Sequence, residues 1–391
     1  MAGSHKIYYS GAPIGSVAVL AKALDISEGR LLKIANNVGN YYISFEKPVK
    51  GKMRSLSEPI LLLKILQKRI LNRIFCHIKF PHYLHGGIKA TNPRDFHSNA
   101  SAHLGAEVAI TLDIKSFFPN VTSMVVENSF LRLFQFPDEV ATVLAKLTML
   151  NNQLPQGAPT SSCISNIILF DREYKIAANL EAQGFQYTRL IDDITISSKK
   201  KISSERVSKV IDIIAKMLGH YGLKIHPDKT HVRSKGNPLD LMTITGLWIN
   251  RGSPKLDRKK CFEISCEVIQ LKREALKNGV NEVKYHTRYS SVAGKVALLE
   301  RLNHSRATRL KLILDTILPT YNNYDVAKVA NLVSKFCKNQ RDSNSIGYLK
   351  KFYQLQHAVS IVKRTHVPTA KSLQALLNIR RPKRTMSEFY G

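Results

Sequence analysis

Hydrophobic positions along the chain follow two spacings, one typical of helices and one typical of strands. Apolar residues recur every three or four positions in four segments, which predicts helices at residues 15–38, 57–76, 160–182 and 204–222. The apolar run at residues 107–113 (EVAITLD) predicts a buried strand, and the alternation at residues 241–250 (LMTITGLWIN) predicts a hairpin. Residues 77–106 show neither pattern and are predicted to be a loop. From about residue 261 the pattern is helical, so the order predicts an α+β domain followed by an all-helical one.

One predicted strand carries two adjacent acids. In residues 189–197 (RLIDDITIS), Asp192 and Asp193 interrupt a β-branched run whose alternation places Ile194 and Ile196 on one face. The apolar residues favour a strand, and the acids favour a turn. Taken alone, an adjacent pair of aspartates is more often a plain β-turn than a functional site.

A third acid, Asp113, ends the predicted strand at residues 107–113, just before Phe117 and Phe118. Three carboxylates in apolar surroundings repel one another, and each costs several kcal/mol if it is buried without a partner. A divalent cation removes that cost. Two Mg²⁺ ions about 4 Å apart form a site that activates a hydroxyl and stabilises a pyrophosphate leaving group. The acids therefore predict two Mg²⁺ ions, with Mn²⁺ as a possible substitute.

The segment between the acids has the composition of a turn followed by a helix. In residues 153–166 (QLPQGAPTSSCISN), two prolines flank Gly157, and Ser161 or Ser162 is predicted to cap the helix. A glycine at this position allows the backbone to approach a ligand closely.

Composition indicates a polyanionic partner. The 391 residues include 59 Lys and Arg against 29 Asp and Glu, a formal net charge of +30. Nucleic acid is the leading candidate, and an anionic membrane surface is the weaker one. The five cysteines are an odd number without a CxxC motif, which predicts free thiols in a reducing cytoplasm. No apolar run reaches about 18 residues, so no membrane-spanning segment is predicted.

A zinc site is the alternative interpretation of one histidine-rich segment. Residues 76–87 (CHIKFPHYLHGG) contain Cys76, His77, His82 and His85. Their spacing fits no structural zinc pattern well, which favours loop histidines near a nucleic acid.

In chain order, these and further motifs resemble those of bacterial reverse transcriptases, and within that group those of the retron type. The resemblance extends from about residue 20 to about residue 310. The motifs are KGKMRSLSEP (50–59), NASAH (99–103), DIKSFF (113–118), LPQGAPTSS (154–162) with SN (165–166), YTRLIDDITIS (187–197), GLKIHPDKT (222–230) and ITG (244–246). The sequence departs from the family at Leu190 and Ile191, where tyrosine and alanine are usual; Leu190 affects primer handling and fidelity rather than metal binding.

The resemblance implies a right-hand polymerase of the α+β class. Its palm would be an antiparallel sheet with helices, and its thumb would be all-helical. The implied divisions are N-terminal helices and fingers at residues 1–106, palm at 107–250 with part of the fingers inserted, thumb at 251–340, and a basic extension at 341–391.

The resemblance also assigns roles to individual residues. Asp113 and Asp192 would bind both metal ions, Asp193 would support the site, and the carbonyl of Ile114 would complete a coordination shell. Phe118 would exclude a ribose 2′-hydroxyl, while Phe117 is interpreted as core. The remaining nucleotide contacts would come from Lys52, Arg54, Gln156, Gly157 and, as a general acid, Lys229. Asn99, His103, Thr245 and Gly246 belong to the two motifs by which retron enzymes are recognised, and they are predicted to contact RNA or DNA.

The C-terminal third is predicted to hold RNA and the growing heteroduplex through backbone contacts. Within residues 290–313 an apolar stripe predicts a buried helix face, formed by Val292, Val296, Leu299 and Leu302. Four basic residues lie off that stripe and are the candidate phosphate contacts: Lys295, Arg301, Arg306 and Arg309. A solvated helix face, or a docking surface for a protein, are the alternatives.

The implied function is RNA-directed DNA synthesis on a structured noncoding RNA, started from a 2′-hydroxyl of that RNA. The implied biological role is anti-phage defence, together with an effector protein encoded alongside. The alternatives are a defence-associated reverse transcriptase of another lineage, a group II intron-like enzyme, and an RNA-binding scaffold subunit with a weak site.

Overall fold

A computed structural model describes residues 5–49, 51–237, 241–250, 252–338 and 345–391, without the side chains of Val49 and Lys52. The chain forms two compact units, Met1–Pro254 and Lys255–Gly391. The first contains helices and strands and the second contains helices, so the predicted α+β class is confirmed for the part of the chain that is described. The finer division into fingers, palm, thumb and extension stays a prediction. No described helix has the length and apolar character needed to cross a bilayer.

The first unit is built around a five-stranded sheet with the order β5-β7-β8-β6-β9. All neighbours are antiparallel except β5 and β7. The predicted strand at residues 107–113 is confirmed as β6, and the predicted hairpin at 241–250 as β10 and β11. The strands are β1 Tyr8–Tyr9, β2 Tyr42–Val49, β3 Lys52–Pro59, β4 Ile78–Lys79, β5 Leu84–His85, β6 Val108–Asp113, β7 Phe185–Leu190, β8 Asp193–Ser198, β9 His231–Ser234, β10 Thr243–Ile244 and β11 Leu247–Trp248.

Two of the helices predicted in the first unit are each interrupted where the chain turns. The predicted helix at residues 15–38 is two helices, because Asp25 adopts a positive φ of 53° that ends the first one. The predicted helix at 160–182 is also broken, and the chain leaves helical geometry at Arg172. The helices are α1 Val17–Ala23, α2 Glu28–Asn36, α3 Leu61–Arg69, α4 Phe96–Ser101, α5 Phe117–Asn120, α6 Ser123–Arg132, α7 Asp138–Thr148, α8 Ser161–Ile167, α9 Glu173–Ala182 and α10 Ser204–Gly219.

Two further predictions need correction. Residues 57–59 belong to β3 instead of a helix, because they pair with β2; the helix begins at Leu61 and continues as a π-helical turn at Ile70–Ile74. Residues 77–106, predicted to be a loop, contain β4, β5 and α4. The two strands have only two residues each and α4 has six, which is too short for a hydrophobic period to show in the sequence.

The second unit contains two hydrophobic clusters, one around Val268 and Leu299 and one around Val333 and Leu377. The predicted helix at residues 290–313 is divided, since α12 ends at Arg301 and α13 begins at Ala307. The helices of the second unit are α11 Arg258–Asn278, α12 Val283–Arg301, α13 Ala307–Asp315, α14 Asn323–Lys338, α15 Ile346–Val362, α16 Val367–Ile379 and α17 Met386–Tyr390. The predicted stripe is confirmed as buried: Val292, Val296, Leu299 and Leu302.

His103 joins the two strands of the β7–β8 hairpin from one face. It is 1% exposed, and its Nδ1 and Nε2 atoms lie 2.7 Å from the hydroxyls of Ser197 on β8 and Thr188 on β7. Burial, with a smaller contribution from His85, lowers the pKa of His103 to about 3. The imidazole is therefore neutral in the folded state at any pH near neutrality.

We predict that the free energy of unfolding decreases as the pH is lowered below about 6.5, because of this histidine. The unfolded state binds a proton near the usual histidine pKa, whereas the folded state does not until about pH 3. The contribution of the neutral His103 to the free energy of unfolding is complete above about pH 6.5. Roughly 2 kcal/mol of this free energy should be lost by pH 5. Chemical denaturation of the parent and of His103→Gln between pH 7.5 and about pH 5 measures this slope.

His103→Gln should show a shallower loss of unfolding free energy with falling pH than the parent. His220, an exposed histidine at the end of α10, provides the control, because His220→Gln should keep the parent slope. Equal slopes for His103→Gln and the parent would show that His103 does not carry this pH dependence.

Candidate active site

Three strand ends bring the predicted acids together. Asp113 is the last residue of β6 and pairs in register with Asp193, the first residue of β8. Leu190 also pairs with Asp193, so Ile191 and Asp192 form the two-residue turn of the β7–β8 hairpin. The amide of Ile114 donates to the carbonyl of Asp192 at 3.0 Å. The adjacent acids are thus both a turn and the end of a strand, and they lie beside Asp113.

This turn contains a strained residue. Ile191 adopts φ +60°, a left-handed conformation that β-branched side chains rarely occupy. Such a residue costs about 1–3 kcal/mol and persists only where its surroundings fix it. Gly86 packs against the same turn, since a Cβ atom there would lie 2.9 Å from Leu190 and 3.1 Å from Ile191. A side chain at position 86 would therefore displace the side chains of this turn.

A buried ion pair contacts the backbone of the β7–β8 turn. Arg189, fully buried on β7, donates to both carboxylate oxygens of Glu173 at 2.6 and 2.8 Å. It also donates to the carbonyl of Ile191 at 3.0 Å and to the carbonyls of Ser165 and Asn166 on α8 at 2.9 and 3.1 Å. Burial alone would lower the pKa of Arg189, but Glu173 more than offsets this and raises it. One charged guanidinium therefore links α8, α9 and the strained turn.

The electrostatics of the acids favour a cation. Burial, and then the nearby Asp113, raise the pKa of Asp192, while Lys229 and Arg54 act in the opposite direction. Lys229 Nζ lies 2.7 Å from Asp113 Oδ1. Asp113 and Asp192 supply hard oxygen donors, which suit a divalent metal ion, and Ile114 lines the same cleft as these acids.

The acids lie in a cleft of about 770 Å³ within the first unit. This volume is in the range of pockets that enclose a small molecule. The cleft brings together most of the predicted metal and nucleotide residues: Arg54, Asp113, Ile114, Phe118, Gln156, Asp192, Asp193 and Lys229. The side chain of Lys52, also predicted here, lies outside the described part of the chain.

The two adjacent phenylalanines differ in environment. Phe117 is 2% exposed and belongs to the core, as the sequence predicts. Phe118 is only partly buried, lines the cleft, and contacts the edge of the Phe117 ring with centroids 5.6 Å apart. The amide of Leu154 donates to the Phe118 carbonyl at 3.1 Å and ties it to the next loop. Phe118 is thus held at the cleft wall with a face available.

Gly157 serves a different contact from the one predicted. Its φ is +118°, and a Cβ atom there would lie 3.1 Å from the carbonyl oxygen of Ser57 on β3. The amide of Ser57 donates to the carbonyl of Gln156 at 2.8 Å. The glycine therefore lets the β2–β3 hairpin approach the loop closely, and among the described residues Gln156, not Gly157, lines the cleft. The predicted helix cap also differs, because Thr160 occupies the N-cap position and Ser161 donates to the Pro155 carbonyl.

The recognition-motif residues lie away from the cleft lining. Asn99 and His103 are buried, so direct contact of their side chains with nucleic acid has no support in the structure. Thr245 and Gly246 form the turn between β10 and β11, with φ values of 48° and 84°. The Thr245 hydroxyl donates to the Phe96 carbonyl at 2.8 Å and attaches this turn to α4. Both motifs thus support the sheet that carries the acids.

The predicted phosphate contacts are in the second unit. Lys295 pairs with Glu267 at 2.6 Å, so part of its charge is already neutralised. Arg301, Arg306 and Arg309 are exposed, as their position off the apolar stripe predicts.

The sequence interpretation missed Arg189 and Glu173. An arginine inside an otherwise apolar strand, two residues before the acid pair, is the available signal, because such a charge must be paired if it is buried. The predicted zinc alternative also changes. Of Cys76, His77, His82 and His85, only His82 belongs to a group of potential metal ligands in the described chain.

Comparison with known proteins gives a consistent result. A family model described as "Reverse transcriptase (RNA-dependent DNA polymerase)" matches residues 45–278. The chain is 34% identical to the retron Se72 reverse transcriptase of Salmonella heidelberg (strain 579083-10), over 94% of this chain and 96% of that protein. It is 30% identical to the retron Ec48 reverse transcriptase of Escherichia coli, over 91% and 90% of the two chains.

Solved structures give a weaker match. Apo telomerase from Candida tropicalis matches with a TM-score of 0.42 and 11% identity, over 87% of this chain and 64% of that one. Telomerase from Candida albicans with a fragment of telomeric RNA matches with a TM-score of 0.39 and 11% identity, over 85% and 63%. At these TM-scores and identities, neither structure supports a functional assignment for this chain.

We predict that Arg189 stabilises the hairpin beyond its pairing with Glu173. Arg189→Met should cost about 3–5 kcal/mol of unfolding free energy, because it leaves the Glu173 charge buried without a partner. The double variant Arg189→Met/Glu173→Leu should recover most of that loss, since apolar residues of similar volume can replace a buried pair. The Ile191 carbonyl would still lack its donor, so amide hydrogen exchange at residues 190–194 should stay faster than in the parent.

An exposed ion pair supplies the control. Lys209 and Glu205 on α10 are mostly exposed, so Lys209→Met should change stability by less than about 1 kcal/mol. Parent-like exchange in the double variant would contradict a separate role for Arg189 in holding the turn.

Proposed function

Because the chain belongs to the reverse transcriptase family, and within it to the retron enzymes, we propose that it copies a structured noncoding RNA into single-stranded DNA, starting from a 2′-hydroxyl of that RNA. The membership itself establishes an RNA-directed DNA polymerase with the right-hand polymerase fold. Such enzymes use an RNA template, deoxynucleoside triphosphates and divalent metal ions. The choice of RNA, the priming group and a role in anti-phage defence are the proposed part.

One observation carries the assignment of the active site. Asp113 at the end of β6, Asp193 at the start of β8 and Asp192 in the β7–β8 turn converge at a cleft large enough for a nucleotide. Their mutual repulsion and partial burial are costly unless a cation binds there. We therefore assign Asp113 and Asp192 as ligands of two Mg²⁺ ions, with Asp193 supporting them and the Ile114 carbonyl as a further donor.

Two Mg²⁺ ions would lower the pKa of the attacking hydroxyl and stabilise charge on the phosphate oxygens. The side chains around them position the nucleotide. Arg54, which lines the cleft with Gln156, would provide a cation for the triphosphate. Lys52 is assigned the same role from its motif alone, since its side chain lies outside the described part of the chain. Lys229, paired with Asp113 without substrate, is close enough to the acids to exchange this contact for a phosphate oxygen and to donate a proton to the departing pyrophosphate.

The second unit would hold the nucleic acid. Arg301, Arg306 and Arg309 are exposed on a helical framework, with Lys295 beside them on α12. Contacts of this kind recognise the phosphate backbone and are strongly salt-dependent. The five free cysteines agree with a reducing cytoplasm as the place of action. An effector protein encoded alongside would be the partner in defence.

The first prediction of this function concerns the acids. Asp192→Asn/Asp193→Asn should abolish Mg²⁺-dependent extension of a primed RNA template, a loss of at least about 100-fold, because the metal ligands are removed without a change of shape. Binding of the RNA should persist. Asp212→Asn, at an exposed position of α10, is the matched control and should extend at the parent rate. Extension by the double variant at a comparable rate would refute the metal assignment.

The second prediction concerns discrimination between sugars. Phe118→Ala should lower the preference for deoxynucleotides over ribonucleotides at least tenfold, about 1.4 kcal/mol, because the ring no longer occupies the space of a 2′-hydroxyl. Competing incorporation of the two nucleotides measures this ratio. Phe130→Leu is the control, since Phe130 is fully buried in the core and does not line the cleft, so this change should alter stability without altering the ratio. An unchanged ratio in Phe118→Ala would leave Phe118 with a packing role alone.

A further inference from the structure

A second cluster of metal-binding side chains lies where the N-terminal strand joins the first unit. Strand β1 pairs antiparallel with β4, with Tyr8 opposite Lys79 and Tyr9 opposite Ile78. His5 precedes β1, and His82 lies in the turn after β4. Their rings are in edge contact, with centroids 5.3 Å apart. This contact brings the two imidazoles close enough to share a ligand.

A carboxylate completes the group. Glu181 lies in the last turn of α9 and forms a hydrogen bond with Nε2 of His5. The three potential ligand atoms, one each from His5, His82 and Glu181, all lie within 4.8 Å of one another. They come from three chain segments that are distant in sequence. Within the described chain, this is the set of three or more histidine, cysteine or acidic side chains that meets this distance.

We propose that His5, His82 and Glu181 bind one Zn²⁺ ion, or another transition-metal ion of similar preference. Two imidazole nitrogens and one carboxylate oxygen are a known zinc ligand set, which leaves a fourth position for water. Zinc bonds of about 2.0–2.1 Å require donors about 3.3 Å apart in a tetrahedral site. His82 and Glu181 are exposed, so side-chain rotation can close this difference without moving the backbone.

A neighbouring arginine fixes the backbone on the N-terminal side of His82. The guanidinium of Arg94 donates to the carbonyls of Phe80 and Pro81 at 3.1 and 2.7 Å. These bonds fix the backbone immediately before His82. Arg94 also brings a positive charge near the cluster, and the Glu181 carboxylate offsets it.

This cluster differs from the catalytic acids in position and chemistry. None of its three residues lines the cleft. Imidazole nitrogen favours zinc, whereas the carboxylates of the cleft favour Mg²⁺. A bound ion would join β1, the loop after β4 and the end of α9, the helix whose first residue is Glu173. The inference is independent of the proposed function, because its consequence is stability of the first unit.

Zinc titration of the full-length protein tests the site. The chain is treated with EDTA, exchanged into buffer without chelator, and titrated with Zn²⁺ in competition with a chromophoric chelator. The parent should bind one more equivalent of zinc than His82→Ala or Glu181→Gln, or bind it at least tenfold more tightly. His77→Ala is the matched control, because His77 is an exposed histidine of the same segment outside the cluster, and it should bind as the parent does.

Thermal unfolding provides the second measurement. Zinc should raise the melting temperature of the parent and of His77→Ala by roughly a few degrees, and should raise that of His82→Ala and Glu181→Gln by clearly less. Glu181→Gln keeps the size of an exposed side chain, so loss of folding would not account for its result. Equal zinc stoichiometry, affinity and melting shifts in the parent and both variants would overturn the proposal. Extension of primed RNA in Mg²⁺ should be the same in all four proteins.

Discussion

Three carboxylates confined to one end of a sheet impose the constraint on which the first unit depends. Asp113 and Asp193 are register partners, and Asp192 follows Ile191 in the turn beside them. Burial and the charge of Asp113 disfavour ionisation of Asp192. Lys229, which contacts Asp113, and Arg54 act in the opposite direction, but the pKa of Asp192 stays raised. A polymerase gains from the arrangement, because acids that repel one another bind divalent cations and then use them for catalysis.

Such a cluster requires a rigid support, and buried polar groups supply it from both faces of the hairpin. Arg189 and Glu173 form an ion pair on one face, and Arg189 donates to the Ile191 carbonyl. His103 lies on the other and bridges Thr188 to Ser197. Apolar packing alone tolerates small shifts, whereas hydrogen bonds in a buried network define positions closely. His103 thus helps to fix the hairpin that presents Asp192 and Asp193.

The position of the three acids at strand ends could be predicted from sequence because the signals are local. Asp113 ends an apolar run, and the adjacent acids interrupt a β-branched one, so each position is visible within ten residues. Arg189 was missed because its meaning depends on Glu173, sixteen positions earlier on another element. His5, His82 and Glu181 are further apart still, and they meet only through the tertiary packing of three chain segments. Gly157 was assigned to a ligand because a sequence cannot show that the Ser57 backbone occupies that space.

The central claim is that the acids cost the folded protein stability until a cation binds between them. The most direct test compares the melting temperatures of the parent and of Asp192→Asn. Both proteins are measured without nucleic acid, once in EDTA and once in Mg²⁺. In EDTA, Asp192→Asn should melt above the parent, because one of the repelling charges is gone. Mg²⁺ should raise the melting temperature of the parent and narrow that difference. An Asp192→Asn protein that melts below the parent in EDTA, together with a parent that does not respond to Mg²⁺, would contradict the account.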